Sequence, residues 1–282
     1  MTTDNETTTP TQATNDRPPN PIQQKSPPVR AGETNETMND EMKPDGRVNT
    51  PLPITLDTAR RLLEIVDAGL CAGPGNPEPG NMCAEAAVCY ALGQPHGDQP
   101  TCVHPTVRAH MISLNDSSWS DDQARAKGLR RVAIAQLGTA DTLDGEKFKR
   151  EFQVAATQRC TPLLLRAAAT IARKGKDENQ AAKIENVAAQ CEAGIPIVEA
   201  QAAMRALHAD AYAYAYANAY AYAHANADAY ANAHANAYAY ANANAGDRDK
   251  FLRAVADSVE AALRACNSPG IALLDQLLPV NS

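Results

Sequence analysis

Long hydrophobic runs are missing from this chain of 282 residues, and no apolar stretch approaches the roughly 18 residues a membrane-spanning helix needs. The opening MTTDNETTTP lacks the basic start and apolar stretch of a secretory signal, so a cytoplasmic protein is expected. Basic charge is in deficit. Lys and Arg number 26 against 33 Asp and Glu, for a net charge of −7 and a pI near 5.4. Nucleic-acid affinity rests mainly on cationic charge, so a dominant phosphate-binding surface is not expected. Aromatics make up only 5 %, with one Trp and three Phe. Period-two alternation is absent before residue 209, which leaves no strand pattern in the body of the chain.

The residues that are present suit helices. Hydrophobic residues reach 44 %, enough for a core. Residues 1–52 are the exception. Thr, Asn, Pro, Gln and Glu dominate there, and nine of the 19 prolines precede Ile54. Such a segment cannot bury enough apolar surface to offset its ordering entropy, so a disordered arm is expected. Order begins near Ile54 with a helix over 55–68, closed by Gly69. A second is expected over 82–92, and a third from Pro105 to about Met111. Ser120, with Gln123 three residues on, has the form of a cap opening a helix over 121–137. Asp144 suits the cap of a helix carrying Phe148 and Phe152, and Thr161-Pro162 the start of a separate one over 163–174. Asp177 opens the next, which Gly194 ends. Asp247 opens a last long one, with Leu252, Val255, Val259 and Leu263 on one face, before a short apolar helix over 271–278. The fold class expected is all-α: an arm (1–52), a helical body (53–194), an Ala-rich segment (195–245) and a C-terminal helical segment (246–282). The C-terminal stripe must be buried on the body, on the Ala-rich helix or on another chain.

From Ala209 to Ala245 every second residue is Ala, and the residues between are only Tyr, Asn, His and Asp. Eight of the nine tyrosines lie here. Alternation suggests a strand, but one strand of this length would extend about 120 Å, far beyond ordinary strands. Half the tract is Ala, the best helix former, so a helix about 55 Å long is expected, with Tyr rings on every side. Codons for Tyr, Asn, His and Asp differ only at the first base once the third is a pyrimidine, which is the pattern of a slipped and drifted hexanucleotide repeat. A stacking surface is the functional alternative, but the tract has no Lys or Arg to hold a phosphate backbone.

The densest polar cluster is CAEAAVCYALGQPHGDQPTCVH, residues 83–104. Three readings of it stand side by side. Cys83, His96, Cys102 and His104 make a Cys2His2 set of the type zinc takes, although no CxxC or HxxxH spacing is present. Cys83 at a helix start, with His96 as base and Asp98 as its orienter, makes a nucleophilic thiol, since the helix dipole lowers a thiol pKa. The plain reading is a loop pinned by packing. The seven cysteines, an odd number, are expected to be reduced thiols. Arg125, Lys127, Arg130 and Arg131 form a basic run that reads as a solvated helix face.

The order Met82-Cys83, Tyr90, Gly93, Pro95-His96, Asp98, Pro100, Cys102, Pro105 and Asn115-Asp116 resembles a family of uncharacterised proteins of bacteria and their phages. The resemblance implies further helices after this block, a helical Ala-rich tract and a closing apolar helix, and it implies no activity. One departure is that Glu85 stands two residues after the Cys rather than three. The function expected is a non-enzymatic helical interaction or scaffold protein, of the kind a phage or mobile element encodes, with a protein partner or self-association through helices. Its alternative is a metal-binding or cysteine-dependent small-molecule activity centred on residues 83–104.

Overall fold

The computed structural model describes residues 53–207 and 245–279, all within the unit Glu41–Ser282. The arm 1–52 and most of the alternating tract (208–244) lie outside the described residues. Those described form nine helices and no strand, and one isolated bridge pairs Gly75 with Met82. The helices are α1 (Leu56–Asp67), α2 (Ala84–Ala91), α3 (Pro105–Asn115), α4 (Asp122–Ala135), α5 (Gly145–Lys174), α6 (Glu178–Glu192), α7 (Ile197–Leu207), α8 (Ala245–Ala265) and α9 (Pro269–Leu277). None is long and apolar enough to cross a membrane.

Local chemistry explains most of the boundaries. Thr55 and Thr58 cap α1 reciprocally, each hydroxyl accepting from the other's backbone N–H at 3.3 and 2.8 Å. Pro105 occupies the first turn of α3, and Asp177 accepts from the Gln180 N–H to open α6. Three boundaries differ from the sequence expectation, each for a tertiary reason. Helix α3 continues to Asn115, because Leu114 and Asn115 are buried beneath the loop that precedes α2. Asp121 rather than Ser120 caps α4, since the Ser120 hydroxyl and N–H both donate to the Asp249 carboxylate of α8, at 2.5 and 2.9 Å. The expected break at Thr161-Pro162 does not occur, and α5 runs for 30 residues with Pro162 inside it.

A proline in a helix interior costs about 3 kcal/mol. The halves on either side bury enough to outweigh it, at about 1.5–3 kcal/mol per large apolar side chain. Phe148, Phe152 and Cys160 lie in the main core, which α1 to α4, α8 and α9 complete. Leu165, Ala168, Ala169 and Ala172 lie in a second core with Ile184, Val187 and Cys191 of α6 and Ala200 of α7. Helix α5 is thus the beam common to both.

The apolar stripe of α8 is buried on the body. Leu252, Val255, Val259 and Leu263 are at most 1 % exposed, and α8 packs chiefly on α5 and α4. Helix α9 lies on α4, where the Ser268 hydroxyl donates to the Ala135 carbonyl at 2.7 Å. Large apolar side chains exposed among the described residues are Ile54, Val154 and Val198.

Candidate functional site

The 83–104 block takes shape as a clasp. Cys83 is the N-cap of α2, and its sulfur accepts from the Ala86 N–H at 3.3 Å. The helix start does not activate the thiol, because burial outweighs the backbone donors and pushes its pKa up to about 11. Desolvation likewise pushes Cys89 up to about 12 and Cys102 up to about 11. All seven cysteines are free thiols. His96 is exposed, with its Nε2 3.1 Å from the Gly75 carbonyl, while His104 is the N-cap of α3 and its Nδ1 accepts from the Thr106 N–H at 3.2 Å. Cys83, His96 and His104 therefore each serve a separate local contact, and Cys102 is half-buried against the main core. Among the described residues no group of three or more His, Cys, Asp and Glu side chains is placed to hold a metal ion.

Asn115 and Asp116 close this clasp from α3. The Asn115 side chain accepts from the Ala84 N–H at 3.1 Å and donates to the Cys71 carbonyl at 2.9 Å, while Asp116 accepts from the Gly73 N–H at 2.8 Å. Arg125 of α4 is 6 % exposed and donates to the Asn115 and Leu70 carbonyls, each at 2.8 Å, as well as pairing with Asp122. It belongs to the interior and not to the solvated face its position in the basic run implies.

Behind the clasp lies Glu85, a residue that composition and spacing did not mark as buried. Its side chain is fully buried, and neither carboxyl oxygen has a hydrogen-bond partner. The Gln136 amide, also buried and also without a partner in bonding geometry, lies close enough to favour the ionised form of Glu85. Desolvation pushes the Glu85 carboxyl up to about 8, against smaller opposing contributions from Gln136 and Arg108. At neutral pH it is held largely as the acid.

The remaining basic residues of the run open onto a cleft of about 670 Å³. Lys127, Arg130 and Arg131 of α4 form one wall, Arg159 of α5 stands at another, and Asp257, Glu260 and Arg264 of α8 complete it. Ala261, Leu278 and Pro279 provide its apolar lining. The walls are tied by charge-assisted pairs. Arg131 holds Glu260 with two bonds of 2.8 Å and donates a third to the Leu278 carbonyl at 2.8 Å. Arg264 holds Asp275 with two bonds of 2.8 Å, and Arg130 holds Asp67 at 2.6 and 2.9 Å. Burial opposes ionisation of Glu260, but the two guanidinium groups hold its carboxyl below the usual range. Desolvation and the neighbouring Glu260 push the Asp257 carboxyl up, while Arg159 and Arg131 oppose the shift. Lys127 and Arg159, both exposed, make no hydrogen bond or ion pair with the described residues, although Arg159 stands near enough to Asp257 to lower its carboxyl pKa.

No protein-family model matches the chain, and no curated protein or solved structure gives a significant match. Function must therefore be argued from the site. Sequence reading found the run at 125–131 but not its partners, since Arg159, Glu260 and Arg264 reach the cleft from helices distant in the chain.

Proposed function

We propose that this is a non-enzymatic helical interaction protein of the cytoplasm that recognises an anionic partner in the cleft between α4, α5 and α8. The observation that carries the reading is a pair of exposed cations, Lys127 and Arg159, that make no hydrogen bond or ion pair with the described residues, in a concave site whose other guanidinium groups are fixed by carboxylates. A site of this volume is of the size ligand clefts have. Apolar association is the weaker alternative, because the stripe of α8 is consumed within the chain. Cysteine-dependent chemistry at 83–104 draws no support from thiols that burial keeps protonated. The test is a fluorescence-anisotropy titration at low salt with two labelled polyanions, dextran sulfate and an oligoglutamate. Binding of at least one, weakened by salt and lost in a Lys127→Glu/Arg159→Glu variant of unchanged melting temperature, is the expected result. Binding of neither, or equal binding by the variant, overturns the reading.

A further inference from the structure

The cleft as recognition surface leaves its ligand open, and resting on that reading we infer that its occupant is a carboxylate-rich peptide segment of another protein, gripped by Lys127 and Arg159. Three features of the cleft select carboxylate over phosphate and peptide over nucleic acid. Phosphate sites draw on banks of backbone N–H groups at helix N-termini. Here the lining comes from the interior of α4, the interior of α5, the C-terminal half of α8 and the end of α9, so no helix N-terminus faces the cleft. Among the described residues no aromatic ring lines it, so these walls offer a nucleobase nothing to stack on. The guanidinium groups already present hold carboxylates in two-pronged geometry, Arg131 on Glu260 and Arg264 on Asp275, which shows the spacing the walls accept.

Charge and apolar lining agree with this. Asp257 and Glu260 stand in the same cleft and repel a phosphate dianion more than a single carboxylate. Ala261 and Leu278 accept the methylene stems of Glu side chains, which a bare anion does not have. The chain as a whole carries −7, so attraction to an acidic segment must come from the cations local to the cleft. Lys127 is a point charge and Arg159 a planar fork, and the two on separate walls receive two carboxylates of one segment.

The experiment uses the full chain and a fluorescein-labelled decaglutamate peptide, with oligothymidylate and inorganic pyrophosphate as competitors. Saturable binding of the peptide is expected, weakened about tenfold or more in Lys127→Gln or Arg159→Gln. Lys127→Arg and Arg159→Lys should recover part of it, and circular-dichroism melts should show all variants folded. Neither competitor should displace the peptide better than sodium chloride of equal ionic strength. Displacement by pyrophosphate or oligothymidylate at lower ionic strength than sodium chloride, or full affinity in the Gln variants, overturns the inference. Failure of decaglutamate to bind while dextran sulfate still binds through the two cations rejects the peptide and leaves the cleft reading standing. Failure of both rejects both.

Discussion

Glu85 couples folding to pH. Its carboxyl sits at about 8 in the folded chain, against an ordinary value of 4.5. Between those values the native state keeps a proton that the unfolded state has released, so stability falls as pH rises through this window. Its contribution is whole below pH 4.5 and is lost above about 8. Glu85→Gln replaces the acid with a neutral group of the same shape. Wild type and variant should melt alike at pH 5, and at pH 8.5 the variant should be the more stable by an amount on the order of 1–3 kcal/mol. Thermal melts followed by circular dichroism at the two pH values check this, and equal melting at both refutes it. The paired acids Asp275 and Glu192, held low by Arg264 and Arg166, act in a lower pH range and are common to both proteins, so they cancel in the comparison.

Helix α4 shows where packing overrides propensity. Gly128 lies in its interior, where Ala is ordinarily better by about 1 kcal/mol. A Cβ at this position would stand 2.2 Å from the ring of Trp119. That ring is 5 % exposed and is held by its Nε1–H, which donates to the Leu114 carbonyl at 2.9 Å, so it cannot turn aside cheaply. Gly128→Ala should therefore destabilise the protein by about 1–3 kcal/mol, read as a lower urea midpoint. A midpoint at or above wild type would show that the ring moves freely. The same logic governs α9, where a Cβ on Gly270 would meet the Ile134 carbonyl oxygen of α4 at 2.3 Å. Backbone cannot yield there, and the short apolar helix lies flush on α4 because residue 270 has no side chain.

The C-terminal helices pack on the body. Helix α8 buries its stripe on α4 and α5, and Asp249 and Glu260 tie it to Ser120 and Arg131. Replacing residues 208–244 by a Gly/Ser linker of equal length should keep a cooperative melting transition, because the apolar stripe of α8 is buried on α4 and α5. Differential scanning calorimetry of the replaced chain checks this, and loss of the cooperative transition would place the tract inside the folding unit. The two cores share α5, so the body should unfold as one transition with α6 and α7 as its least buried part.

Much of this architecture was legible in the residues themselves. Capping residues, prolines, glycines and apolar spacing located the helices to within a few positions, because those signals act over one turn of backbone. The alternating tract and the basic run at 125–131 were equally plain, although neither states what it faces. Tertiary structure alone decided the rest. It carried α5 through Pro162, since burial on two cores exceeds the cost of one proline. It moved the α4 cap to Asp121, since Asp249 engages Ser120 from 129 positions away. It divided the basic run, turning Arg125 inward to carbonyls and Lys127 outward to the cleft. It hid Glu85 near Gln136, gave Cys83, His96 and His104 each its own local contact, and packed Cys102 against the main core. Burial, and which distant charge stands opposite which, arise from the packing of whole helices, and no local window of sequence contains that information.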